Sequence, residues 1–128
     1  MTPSTFILNK LVRDKIATIM KESGITVNTT TLHGIDLQQA LQEKLVEEAQ
    51  EVVTAQSIDE LKQEIADVQE VLDALIKHLN IDHTEIEKIR QAKNKARGSF
   101  ISGTYITTIE VDDQHEHLAH YKAKYKSK

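Results

Sequence analysis

Two long amphipathic runs, residues 36–55 and 57–79, follow one another with a link of about two residues at Gln56–Ser57. A link that short forces the second helix back along the first, so an antiparallel hairpin is expected. The start signals agree. Asp36 before Gln39, Ser57 before Glu60 and Asp82 before Glu85 all have capping-box spacing, and they open runs near 36–55, 57–79 and 82–97. Asn80 and Gly98 stand where helices close in the left-handed conformation, and a shorter helix near Arg13–Ser23 ends at Gly24. A single proline and four glycines in 128 residues leave few interruptions. The ends differ. Thr5–Val12 and Tyr105–Val111 are short and rich in β-branched and aromatic residues, so they read as extended segments with mutual pairing as an option. Ile25–Leu32 fits strand or loop. The tail from about residue 114 carries His115, His117 and His120, then alternating lysines, and reads as a short helix or a frayed end. The expected fold is all-α: a single helical domain over 1–128, with a central antiparallel hairpin and short extended N- and C-terminal segments.

Composition removes several function classes. With no cysteine there is no disulfide framework, no thiol nucleophile and no thiolate metal site. Two Phe, three Tyr and no Trp make a poor stacking platform for single strands. A net charge of −4 disfavours binding along a polymeric nucleic acid. No apolar run reaches the ~20 residues of a membrane span. No leader pattern opens the chain, so a cytoplasmic location and no membrane partner are expected.

Charge is unevenly spread. Of 20 acidic residues, 14 lie between Asp36 and Glu87, where only Lys44, Lys62 and Lys77 are basic. At ~100° per residue, the run 36–55 has an apolar stripe of Leu37, Leu41, Leu45, Val52 and Ala55. Glu48 falls near its middle, Glu51 and Lys44 on its edge, and Glu47 further round. The next run has a stripe of Leu61, Ile65, Val68, Leu72, Leu75, Ile76 and Leu79, with Val71 at the margin. Glu64 falls inside that margin and Asp67 just outside. Charge runs on helices are ordinarily a solvated face, which suits Glu60, Gln63, Glu70 and Asp73. A carboxylate on a core-facing stripe is different, because burying it unpaired is costly. Glu48/Glu51 and Glu64/Asp67 are both i, i+3 pairs, so each pair shares one helix face. The hairpin brings the pairs together, and four converging carboxylates call for a divalent cation. Oxygen-only ligands favour Mg²⁺, with Mn²⁺ as the alternative, over zinc. A di-iron bundle would need Glu-x-x-His on two helices. No His follows an acid by three residues in Asp36–Arg97, so His78 and His83 are read as surface residues.

The segment Lys44-Leu45-Val46-Glu47-Glu48-Ala49-Gln50-Glu51, followed by Glu64-Ile65-Ala66-Asp67, resembles the K-L-x-E-E-x-x-E and E-x-x-D pattern of the all-α, MazG-like nucleoside triphosphate pyrophosphohydrolases. That superfamily includes phosphoribosyl-ATP pyrophosphohydrolase. Asn9–Ile16 and Lys93–Phe100 resemble flanking motifs of one small branch, with Ser99 where a second glycine is usual. The resemblance spans roughly Phe6–Val111. It implies Glu48, Glu51, Glu64 and Asp67 as Mg²⁺ ligands, and Glu47 as a supporting carboxylate or one that orients a water. It also implies cleavage between the α and β phosphates to a nucleoside monophosphate and pyrophosphate, in a homodimer or homotetramer.

The residues suit such chemistry. Metal ions neutralise phosphate charge and activate water, after which Glu47 or Glu48 takes the water's proton. Cations must also hold the outer phosphates. Arg90, Lys93, Asn94 and Arg97 share one helix face, at i, i+3, i+4 and i+7. Lys10, Arg13 and Lys15 form a second cluster, and Lys44 suits either job. The competing reading of these cations is that they only balance the acidic hairpin. The competing reading of the whole chain is a non-catalytic helical module that binds a nucleotide or a protein. The acidic quartet argues against it, since a scaffold would gain from apolar residues at 48 and 64.

Overall fold

Ser57 starts the most clearly punctuated helix. Its hydroxyl accepts from the Glu60 amide at 3.1 Å, and the Glu60 carboxylate in turn accepts from the Gln56 amide at 3.1 Å. The reach-back lands one residue before the cap rather than on it, so one first-turn donor, the Glu60 N–H, is satisfied and the carboxylate holds the Gln56 amide that leads into the helix. The computed structural model describes residues 2–127. Among these residues lie five helices: α1 (Ile16–Glu22), α2 (Gly34–Thr54), α3 (Ile58–His78), α4 (His83–Arg97) and α5 (Leu118–Lys124). There is no strand among the described residues, and no helix is long and apolar enough to cross a membrane. The chain is all-α.

The ends of α1 and α3 share a closing device. Gly24 and Asn80 adopt φ of +89° and +55°. Around them Ile25 N–H donates to Met20 O and Gly24 N–H to Lys21 O; Ile81 N–H donates to Ile76 O and Asn80 N–H to Lys77 O. This paired pattern satisfies the last free carbonyls of each helix. Asp82 accepts from the Thr84 amide at 2.9 Å as α4 begins. Asp36 does not start α2. That helix opens two residues earlier at Gly34, with His33 at the cap position and Asp36 within the first turn. There an acidic side chain still favours the positive helix end.

The chain divides into two units, residues 1–90 and 91–128. In the first, α2 and α3, each of 21 residues, pack against each other. His78 Nε2 donates to the Gly34 carbonyl at 2.8 Å and ties the end of α3 to the start of α2. The seam runs through Leu37, Leu41, Leu45, Glu48 and Val52 on α2, and Leu61, Glu64, Val68, Val71 and Leu75 on α3. Leu41, Val71 and Glu48 are the buried residues among those described.

The α3 seam is rotated from the expected stripe. Val71, placed at the margin, is buried, whereas Ile65, Leu72 and Leu79 are 45%, 39% and 39% exposed. The apolar arc of α3 is wider than one helix covers. α2 takes one flank, and Ile58, Ile65, Leu72 and Leu79 form a second row at seven-residue spacing, left uncovered within the chain. The expected extended ends are irregular rather than paired, since neither finds a ladder partner, and Ile25–Leu32 is loop. In the second unit, residues 114 onward supply the short helix α5.

Candidate metal centre

Glu48 and Glu51 lie one turn apart on α2, and Glu64 and Asp67 one turn apart on α3. Because the helices run antiparallel, the two pairs meet across the seam. One oxygen from each of the four lies within 4.8 Å of all the others. Glu48 is 7% exposed; Glu64 and Asp67 are half-buried, and Glu51 is exposed. The cluster therefore has a buried end at Glu48 and an open end at Glu51.

Two oxygens have no partner although both are buried: Glu48 Oε2 and Glu64 Oε2. Such orphans are uncommon in folded proteins. Protonation is one relief. Burial, helped by the charge of Glu51 and opposed by Lys44, pushes the Glu48 carboxyl above the ordinary glutamate range. A hydrogen bond with Glu64, in which Glu51 supplies the proton, pushes Glu51 up as well, and burial adds to it. A hard divalent cation is the other relief. The donor set fits one: four carboxylates, no nitrogen or sulfur, converging oxygens and two unfilled acceptors.

Cations rim the cluster. Lys44, 16% exposed in its side chain, reaches Glu48 Oε1 at 3.2 Å and Glu47 Oε2 at 3.3 Å. Burial alone would lower its pKa, but the bonds to Glu48 and Glu47 outweigh that and raise it. Lys10 Nζ lies 3.3 Å from Glu47 Oε1, and Arg13 Nη2 lies 2.7 Å from Asp67 Oδ1. Burial opposes ionisation of Glu47, yet hydrogen bonds from Lys44 and Lys10 hold its carboxyl below the usual range. Glu47 is thus half-buried beside the quartet and ionised, although the stripe placed it further round.

The other expected cations are on α4. Arg90 forks onto Glu87 of its own helix at 2.9 and 3.1 Å. Lys93, Asn94 and Arg97 are exposed on the part of α4 that belongs to the second unit. Glu60, Gln63, Glu70 and Asp73 are solvated, as expected. The bond from His78 to Gly34 had no signal in the sequence, because it depends on where two helix ends meet in space. A cavity of about 700 Å³ opens at the C-terminal end of α3, lined by Glu70, Asp73, Lys77 and Asp82 among others, and none of the four clustered acids borders it.

No curated protein and no solved structure matches the chain. The family model for phosphoribosyl-ATP pyrophosphohydrolase does match, over residues 8–94, about two thirds of the chain and the whole of the acidic hairpin. The chain therefore belongs to the phosphoribosyl-ATP pyrophosphohydrolase family, and its activity is of the nucleotide pyrophosphohydrolase type.

Proposed function

We propose that this protein is a Mg²⁺-dependent nucleoside triphosphate pyrophosphohydrolase that cleaves between the α and β phosphates and releases a nucleoside monophosphate and pyrophosphate. One observation carries the reading most: a buried glutamate, Glu48, that has one unfilled oxygen and is clustered with three more carboxylates. A scaffold has no reason to keep that arrangement.

Glu48, Glu51, Glu64 and Asp67 would hold the ion, with Mn²⁺ as a competent substitute. The bound ion would supply charge neutralisation and a lowered pKa for the attacking water. The remaining work falls to the chain. Glu47, kept ionised by Lys44 and Lys10, is an acceptor for the water's proton, with Glu48 as the alternative. Lys44 fixes both of those carboxylates in place. Lys10, Arg13 and the α4 residues Arg90, Lys93, Asn94 and Arg97 are the candidates for the outer phosphates. We assign the chain to a homodimer or homotetramer. The support is the uncovered row Ile58, Ile65, Leu72 and Leu79 on the helix that carries Glu64 and Asp67.

The test is pyrophosphate release across common, deoxy and damaged nucleoside triphosphates, with and without Mg²⁺. Release of pyrophosphate and monophosphate in equal amounts, abolished by a chelator, is expected for at least one nucleotide. Release of orthophosphate, or no Mg²⁺-dependent product from any of them, overturns the reading.

A further inference from the structure

Outside the hairpin, one segment reaches the carboxylate cluster from a distance in sequence. In Lys10-Leu11-Val12-Arg13 an apolar pair is flanked by two cations. Leu11 and Val12 are half-buried and anchor the segment, while both cations are exposed. Asn9, immediately before it, holds φ of +45°, in the left-handed region that asparagine tolerates better than most residues. The two cations diverge to different helices: Lys10 pairs with Glu47 of α2 and Arg13 with Asp67 of α3. The segment therefore spans the seam at the acidic cluster.

The charges nearly close. Five carboxylates, Glu47, Glu48, Glu51, Glu64 and Asp67, meet three cations, Lys10, Arg13 and Lys44. The two negative charges left over match a single divalent ion. The three cations are not equivalent, however. Lys44 is part-buried, sits on α2 beside its partners and touches two of them. Lys10 and Arg13 are exposed, come from a separate segment and hold one carboxylate each. Arg13 uses only one arm of its fork. Exposed single ion pairs are weak and easily exchanged, and a guanidinium fork matches phosphate oxygens as well as carboxylate.

We propose that Lys10 and Arg13 form an exchangeable counter-ion strap. In the substrate-free protein they occupy Glu47 and Asp67 and weaken capture of a divalent cation; when a triphosphate arrives they transfer to its outer phosphates and free both carboxylates. The inference rests on the proposed function, and it deepens that reading by giving the N-terminal motif a role at the same site. The quartet itself has independent support in the unpartnered oxygen of Glu48, which is more than nine-tenths buried.

The test uses the full chain, and the variant Lys10→Met with Arg13→Met. Two affinities are read: Mn²⁺ alone, by paramagnetic resonance titration, and inorganic tripolyphosphate in saturating Mg²⁺, by calorimetry. Tripolyphosphate presents the phosphates without a base, so base preference does not enter. The variant is expected to bind Mn²⁺ roughly tenfold more tightly and tripolyphosphate roughly tenfold more weakly. The swap Lys10→Arg with Arg13→Lys conserves charge and should leave Mn²⁺ affinity near wild type. Opposite signs are the signature, because damage to the fold would weaken both affinities. Both falling, both unchanged, or Mn²⁺ affinity falling alone overturns the strap while the pyrophosphohydrolase reading stands. The strap also fails if wild type binds Mn²⁺ but not tripolyphosphate. If wild type binds neither, the proposed function fails and the strap with it.

Discussion

Glu48 shows how far one residue can work against its own fold. It occupies a position on the α2 seam that leucine would fill, and one of its oxygens is buried without a partner. Its other oxygen pairs with Lys44, which keeps Glu47 as a partner when Glu48 is removed, so the loss of the unpartnered oxygen relieves a desolvation cost. Glu48→Leu is therefore expected to raise the stability of the metal-free protein by ~1–2 kcal/mol, while abolishing pyrophosphate release and the rise in Tm expected of wild type with Mg²⁺. Thermal denaturation with and without Mg²⁺ checks both halves. Protons and the proposed metal would compete for the same oxygens. The Glu48 and Glu51 carboxyls titrate above the ordinary range in the folded chain. Their contribution to stability is present in full at acid pH, below the unfolded value, and is lost as pH rises through the raised folded values. Glu47, held low, has the opposite sign: its contribution is present above the unfolded value and is lost on acidification. Asp82, held low by the Thr84 amide, shares the sign of Glu47. Mg²⁺ would displace protons from Glu48 and Glu51, so the rise in Tm it gives is expected to be larger at neutral than at mildly acid pH. Calorimetry in buffers of different ionisation enthalpy should show protons released on metal binding. The residue types and i, i+3 spacings of the quartet were legible in the sequence. Lys44 on the edge of the stripe and the cluster of Lys10 and Arg13 were legible too; the carboxylates that Lys10 and Arg13 pair with were not, because they lie 37 and 54 positions away.

At the scale of elements, boundaries written in local chemistry were readable and those set by tertiary contact were not. Ser57 with Glu60, Asp82 with Thr84, and the left-handed Gly24 and Asn80 all act within a few residues of themselves. The start of α2 does not: Gly34 is also held by His78 from the far end of α3, and the helix passes over the Asp36 signal. Ser57→Ala is expected to cost about 1 kcal/mol, seen as a lower urea midpoint with an unchanged slope, because the loss is confined to one cap. The rotation of the α3 stripe teaches the same lesson. Periodicity defines an apolar arc, but which part of the arc meets a neighbour depends on how many neighbours there are.

At the scale of the whole molecule, that excess arc is the feature with most reach. Within the chain α3 has one extensive helical neighbour, α2, and apolar side chains for more. Leu72→Asp places a charge in the middle of the uncovered row and spares the acidic quartet on the other flank. Sedimentation should then show a smaller species than wild type, with helical circular dichroism retained; an unchanged mass would remove this row from any assembly contact. The seven-residue interval of Ile58, Ile65, Leu72 and Leu79 also has a geometric consequence. A straight α-helix completes two turns in slightly more than seven residues, so the row drifts by roughly 20° per interval around the rod. It traces a shallow left-handed spiral, and any second rod that covers all four residues must wind with it, crossing at about 20° and supercoiling rather than lying straight alongside.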